Sequence, residues 1–198
     1  MASFWASPAL DPKRQYRFLV NFGNIGTGVS MLAKTAKKPS FTVGNSKHQF
    51  LSHEFKFPTF VKWNDIQITI VDPAEPDMAK SLMAVLRTAG YIYPDQTNDA
   101  NISSTSPVAK TVSKTKFVGP EGNGAIGNME IQQLNADGTV IEKWRLKNAW
   151  ISAVEFGNLS YASEDLSEIT MTIVYDWAEI DSGVGGGYSG KNTKTPSQ

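Results

Sequence analysis

Alternation of apolar and polar positions dominates this chain. Between Gln15 and Phe22, the residues Tyr16, Phe18, Val20 and Phe22 fall on one side and Gln15, Arg17 and Asn21 on the other, the two-residue period of a half-buried strand. Ile66, Ile68 and Ile70 repeat the pattern within residues 64–71. It is clearest in residues 168–177, where Ile169, Met171, Ile173, Tyr175 and Trp177 oppose Glu168, Thr170, Thr172 and Asp176. Two further alternating stretches, 128–134 and 139–146, flank Ala136-Asp137-Gly138 and predict a hairpin. Residues 148–156 are extended, and a polar turn runs from Gly157 to Asp165. Met31 to Val43 is extended too, broken at Lys37-Lys38-Pro39, where proline removes a ladder donor and marks an edge or a new strand.

One stretch changes period. Met78, Leu82, Val85, Leu86 and Ala89 recur at three- and four-residue spacing, which predicts an amphipathic helix. Asp72-Pro73-Ala74-Glu75 supplies a start, with a capping aspartate, a proline at the first helical position and a glutamate three residues after the cap; Gly90 supplies the stop. The sum predicts a mainly β protein, an antiparallel β-sandwich or barrel with one α-helix.

The chain has 198 residues, enough for one domain with a real core, expected over residues 1–180. Residues 91–121 are rich in Asn, Asp, Ser, Thr and Pro and form a long insertion with room for a short strand near Val108 to Val118. The Gly- and Ser-rich tail, 181–198, lacks apolar surface to bury and is expected to be flexible unless a partner holds it.

Charge and cysteine usage remove several function classes. Nineteen basic and nineteen acidic side chains cancel, which argues against affinity built on neutralising many phosphates. With no cysteine there are no disulfides, thiolate nucleophiles or zinc-thiolate sites, which suits a reducing compartment. Residues 1–8 show no charged segment leading into an apolar run, so no secretion signal is expected. No stretch approaches the roughly 20 apolar residues of a membrane span, so no membrane insertion is expected.

Candidate chemistry is sparse. Gly122 to Gly127, GNGAIG, has dinucleotide-loop spacing, but a strand pattern follows it where a phosphate cradle needs a helix, and no Lys-Ser or Lys-Thr completes a P-loop. The cluster Gly23 to Gly28 fails for the same reason. His48 and His53 are five apart with aromatics around them, the wrong spacing and order for a zincin pair, so no metal or cofactor is expected. No Gly-x-Ser-x-Gly elbow fixes a nucleophile, so no catalytic residue is assigned. Asp72, Glu75 and Asp77 crowd together as carboxylates do at a helix start. The excursion Gly44 to Trp63 is sharper. Phe50, Phe55, Phe57, Phe60 and Trp63 stand among Lys47, Lys56 and Lys62, which suits a protein-protein contact or a stacking platform for single-stranded nucleic acid; the neutral balance favours the former.

These stretches together resemble the tail tube proteins of contractile-tailed, T-even-like bacteriophages. The resemblance runs through Tyr16-Arg17-Phe18-Leu19-Val20, Lys37-Lys38-Pro39-Ser40-Phe41, and the run from Phe57-Pro58-Thr59-Phe60 through Trp63-Asn64-Asp65 to Ile70. It continues in Trp144-Arg145-Leu146-Lys147-Asn148-Ala149-Trp150-Ile151-Ser152 and closes at Tyr175-Asp176-Trp177. It implies a virion protein, assembled in the host cytoplasm, that forms hexameric rings stacked into a hollow tube inside a contractile sheath. The sheets of neighbours would join into one continuous inner β-barrel. The implied partners are further copies of the chain, the sheath, baseplate and tail-terminator proteins, and viral DNA passing through the lumen without specific binding. In related tubes an extended loop grips the adjacent ring. Here His48, Phe50, His53, Phe55, Phe57, Phe60 and Trp63 are the expected contact residues, and Gln67, Thr69, Thr170 and Thr172 the expected lumen-facing ones. Baseplate tube initiators and the ring protein of type VI secretion share the expected fold.

Overall fold

The computed structural model describes residues 12–23, 25, 32–75, 77–91, 112–120, 124–162 and 164–181. Along the chain run β1 (Phe18–Asn21), β2 (Ala33–Ala36), β3 (Ser40–Phe50), β4 (His53–Asn64), β5 (Ile66–Val71), α1 (Met78–Thr88) and α2 (Lys114–Val118). There follow β6 (Met129–Leu134), β7 (Val140–Lys147), β8 (Trp150–Glu155), β9 (Glu168–Val174) and β10 (Trp177–Ile180). Two four-stranded sheets, β1-β6-β7-β10 and β2-β5-β9-β8, and the two-stranded ribbon β3-β4 are antiparallel throughout. The mainly β, antiparallel expectation holds.

The core lies where the two sheets contribute to one apolar cluster. Val20, Met129, Ile131 and Leu146 enter from the first sheet, and Ile66, Ile68, Ile70, Ile169, Met171 and Ile173 from the second. Met78, Leu82 and Val85 of α1 complete it. Each such side chain contributes about 1.5–3 kcal/mol when fully buried, so the alternation in sequence is what fixes the inner face of these core strands.

Five local expectations are corrected. Helix α1 starts at Met78 rather than behind Asp72: the cap is Asp77, whose carboxylate accepts from Lys80 N at 2.9 Å. The sequence explains the shift, because Pro76 disfavours helical backbone at Glu75 and a helix begun at Pro73 would be broken there. Where a strand was expected near Val108 to Val118, residues Lys114–Val118 form the short helix α2; Phe117 is buried and its ring centroid lies 6.3 Å from that of Trp150. The protein thus has two helices among the described residues, not one.

The excursion Gly44 to Trp63 is not an irregular loop but the long ribbon β3-β4. Strand β9 ends at Val174, and the alternation holds through buried Tyr175 but not to Trp177. Asp176 accepts from Lys114 Nζ at 2.6 Å and Asn148 Nδ2 at 2.8 Å, and β10 then crosses to pair with β7, leaving Trp177 partly exposed. Tyr16, expected inward, is exposed, with the Arg17 guanidinium 5.2 Å over its ring.

The hairpin expected around Asp137-Gly138 is present as β6-β7. Gly90 follows the end of α1, at φ 113, with Tyr91 N bonded to Leu86 O at 3.1 Å. Parts of the glycine clusters (residues 24, 26–28, 122 and 123), most of the 91–121 insertion and residues 182–198 of the tail lie outside the described residues.

Candidate self-assembly surface

The ribbon β3-β4 sorts its side chains by register. His48 pairs with Phe55, Phe50 with His53, and Ser46 with Phe57, so these residues share one face; Lys47 pairs with Lys56 and Gln49 with Glu54 on the other. One face is therefore aromatic and the other charged, with Lys47 3.2 Å from Glu54. The signal was in the sequence, but it needed the turn: Leu51-Ser52 makes even positions before it share a face with odd positions after it. Leu51 at the tip holds φ 54, a left-handed conformation that is costly for a leucine, and its side chain is exposed.

Further down the ribbon a register shift follows Val43, opposite Thr59 and Phe60. A Cβ at Gly44 would sit 2.5 Å from Thr59 Oγ1, so any larger residue there would make the threonine side chain turn aside. Phe60 is 91% exposed, the barest phenylalanine of the ribbon. Trp63 stands apart from the other expected contact residues: half-buried at the ribbon's root, it packs against Phe41 at 5.4 Å and Tyr175 at 5.9 Å. A two-stranded ribbon with an uncovered aromatic face is marginal alone, so this one fits a surface that a partner covers.

The sheet β2-β5-β9-β8 brings the four expected lumen residues together. Gln67 pairs with Thr172 and Thr69 with Thr170, with the two threonine hydroxyls 3.3 Å apart. Thr35 and Ala153 continue this face on the outer strands, and Glu155 and Glu168 lie toward one end. The middle of the face is thus polar and uncharged. By contrast, β6 and β7 carry Glu130 between Lys143 at 2.8 Å and Arg145 at 3.3 Å, and Arg145 also reaches Asp181. Within the subunit β2 and β8 are the edges of their sheet, and edges of this kind accept further strands.

One charged cluster had no sequence signal. Glu142 of β7 accepts from Lys13, from Lys38 at 2.7 Å and from Trp144 Nε1 at 2.6 Å, and Lys38 also donates to Gln133 Oε1 at 2.6 Å. Burial alone would raise the Glu142 carboxyl, but these donors override it and hold its pKa at about 2. Because Lys38 follows β2 in one sheet and Glu142 belongs to the other, the cluster ties the two sheets together. Beside it opens a cleft of about 620 Å³ between β1 and β2, lined by Phe18, Thr35, Ile131 and Trp144.

Solved structures share this architecture. A chain of the anti-feeding prophage baseplate, determined with six-fold symmetry, superposes with a TM-score of 0.58 at 17% identity, over 85% of this chain and 95% of that one. A chain of the sheath-tube complex of an extracellular contractile injection system, PVC, gives 0.57 at 15% identity, over 91% and 99%. The anti-feeding prophage tube-terminating cap gives 0.57 at 16%, over the same shares. The chain has the contractile-tail tube fold. No protein-family model and no curated protein matches it. At these identities the likeness shows the fold, so the aromatic ribbon and the sheet face with its uncharged middle carry the functional reading. No described helix is long and apolar enough to cross a membrane.

Proposed function

We propose that this protein is the inner-tube subunit of a phage-type contractile tail, forming hexameric rings that stack into a conduit for DNA inside a sheath, with no catalysis of its own. The observation that carries the reading is an unfinished sheet: β2 and β8 are open edges of a four-stranded sheet whose outer face is polar and uncharged in its middle, with Glu155 and Glu168 toward one end. Edge-to-edge joining around a ring supplies the missing hydrogen bonds and turns Gln67, Thr69, Thr170 and Thr172 toward the bore. A bore without fixed positive charge suits a conduit, because each lysine-phosphate contact adds affinity that would hold DNA in place. The tube fold and the six-fold symmetry of the anti-feeding prophage baseplate support the same assembly.

Ring-to-ring contact falls to the ribbon, through Phe50, Phe55, Phe57 and Phe60 with His48 and His53 beside them. The virion is then the protein's destination, and the sheath, baseplate and terminator its neighbours. The test is Phe55→Ser with Phe57→Ser, viewed by negative-stain electron microscopy. The variant should stay folded and show no long tubes; tubes of wild-type length would overturn the ribbon's role. A baseplate initiator would share these surfaces, and copy number per particle separates the two.

A further inference from the structure

The ribbon needs a receiving surface, and the strand register shows where one stands. Strand β5 runs from Ile66, next to the ribbon, to Val71, and β9 runs back beside it from Glu168 to Val174. The ribbon therefore leaves one end of this sheet, and the β8–β9 connection, residues 156–167, leaves the other.

That connection is built rather than slack. Gly157, at φ 77, packs so closely on Glu168 that a Cβ would lie 2.6 Å from its carbonyl oxygen, and Ser167 O accepts from Asp72 N at 2.9 Å. Entry and exit are thus pinned together, as in a compact Ω-loop. Against that frame it displays Leu159, Tyr161 and Leu166, which are 93%, 113% and 71% exposed. A cleft of about 810 Å³ lies between this loop and Lys34.

Charge separates the two ends as well. The ribbon, residues 40–64, carries Lys47, Lys56 and Lys62 against Glu54 alone. Residues 155–168 carry Glu155, Glu164, Asp165 and Glu168 with no lysine or arginine. Lys34, from β2, reaches into this acidic group through its pair with Glu168. One end is aromatic and basic, the other apolar and acidic.

We infer that the β8–β9 connection, through residues 156–162 and 164–167, is the receptor for the β3-β4 ribbon of a second copy, with Leu159, Tyr161 and Leu166 meeting the ribbon's aromatic face and Glu164 and Asp165 complementing its net positive charge. This rests on the tube reading above and names the other half of its ring-to-ring contact. Two complementary patches at opposite ends make a heterologous interface, and between rings that share one axis such an interface propagates as an open stack.

The experiment uses two full-length variants. Leu159→Ser with Tyr161→Ser removes the apolar half of the receptor but leaves the ribbon intact; Phe55→Ser with Phe57→Ser does the converse. Each alone should yield unstacked rings, and mixing the two ring preparations should yield stacks of two, joined through the one intact ribbon and the one intact loop. Charge reversal by Glu164→Lys with Asp165→Lys, also at exposed positions, should block stacking independently and should be rescued by Lys47→Glu with Lys56→Glu. Long tubes from both loop variants would overturn the receptor assignment and leave the tube reading standing. Wild-type protein that forms neither rings nor tubes would overturn the tube reading itself.

Discussion

Glutamine in place of Glu142 tests how the two sheets are tied. In the folded protein the Glu142 carboxyl sits at about 2 against its ordinary 4.5, because Lys13, Lys38 and Trp144 donate to it despite its partial burial. That difference has a ceiling of about 3 kcal/mol. Both lysines are about half exposed, so solvent and salt screen them, and about 1 kcal/mol is the realistic share. The sign follows from the lowered value. The stabilisation is present above about pH 4.5, where the unfolded carboxyl is ionised, and is lost as pH falls toward 2. Urea unfolding followed by tryptophan fluorescence, at low protein concentration, should show wild type ahead of Glu142→Gln by about 1 kcal/mol at neutral pH. The gap should narrow below about pH 4.5 and shrink in roughly 1 M salt. A gap that stayed constant down to the acid limit would show that the carboxylate's charge contributes nothing and that the side chain acts by packing alone.

Two further outcomes concern the helices. Asp77→Ala should cost about 1 kcal/mol as a lost cap, whereas Asp72→Ala should leave the helical signal in far-ultraviolet circular dichroism unchanged; the reverse order would restore the helix start to Asp72. Gly124→Ala should destabilise by about 2–3 kcal/mol, because the new Cβ would lie 2.3 Å from backbone atoms of Phe117 and Val118 and would push α2 off its place. Thermal melting within a degree of wild type would refute that packing.

The sequence by itself determined the antiparallel β character, the inner faces of β5 and β9 and the body of α1, because periods of 2 and 3.6 are local properties that burial then enforces. Ile66, Ile68, Ile70, Ile169, Met171 and Ile173 are buried where alternation places them. The aromatic ribbon was legible as a cluster but not as a face. Only pairing across the Leu51-Ser52 turn brings Phe50, Phe55 and Phe57 together and sends Lys47 and Lys56 to the other side. The start of α1 misled because Asp72-Pro73 and Asp77 offer similar caps, and a single downstream proline decides between them. Only the tertiary structure decided that the chain leaves its second sheet after Val174, that Lys13 and Lys38 meet Glu142 from more than 100 residues away, and that Leu159 and Tyr161 stand exposed at the end opposite the ribbon. These depend on which strands become neighbours, and neighbour choice is settled by the free energy of the whole packed core, which no local period records.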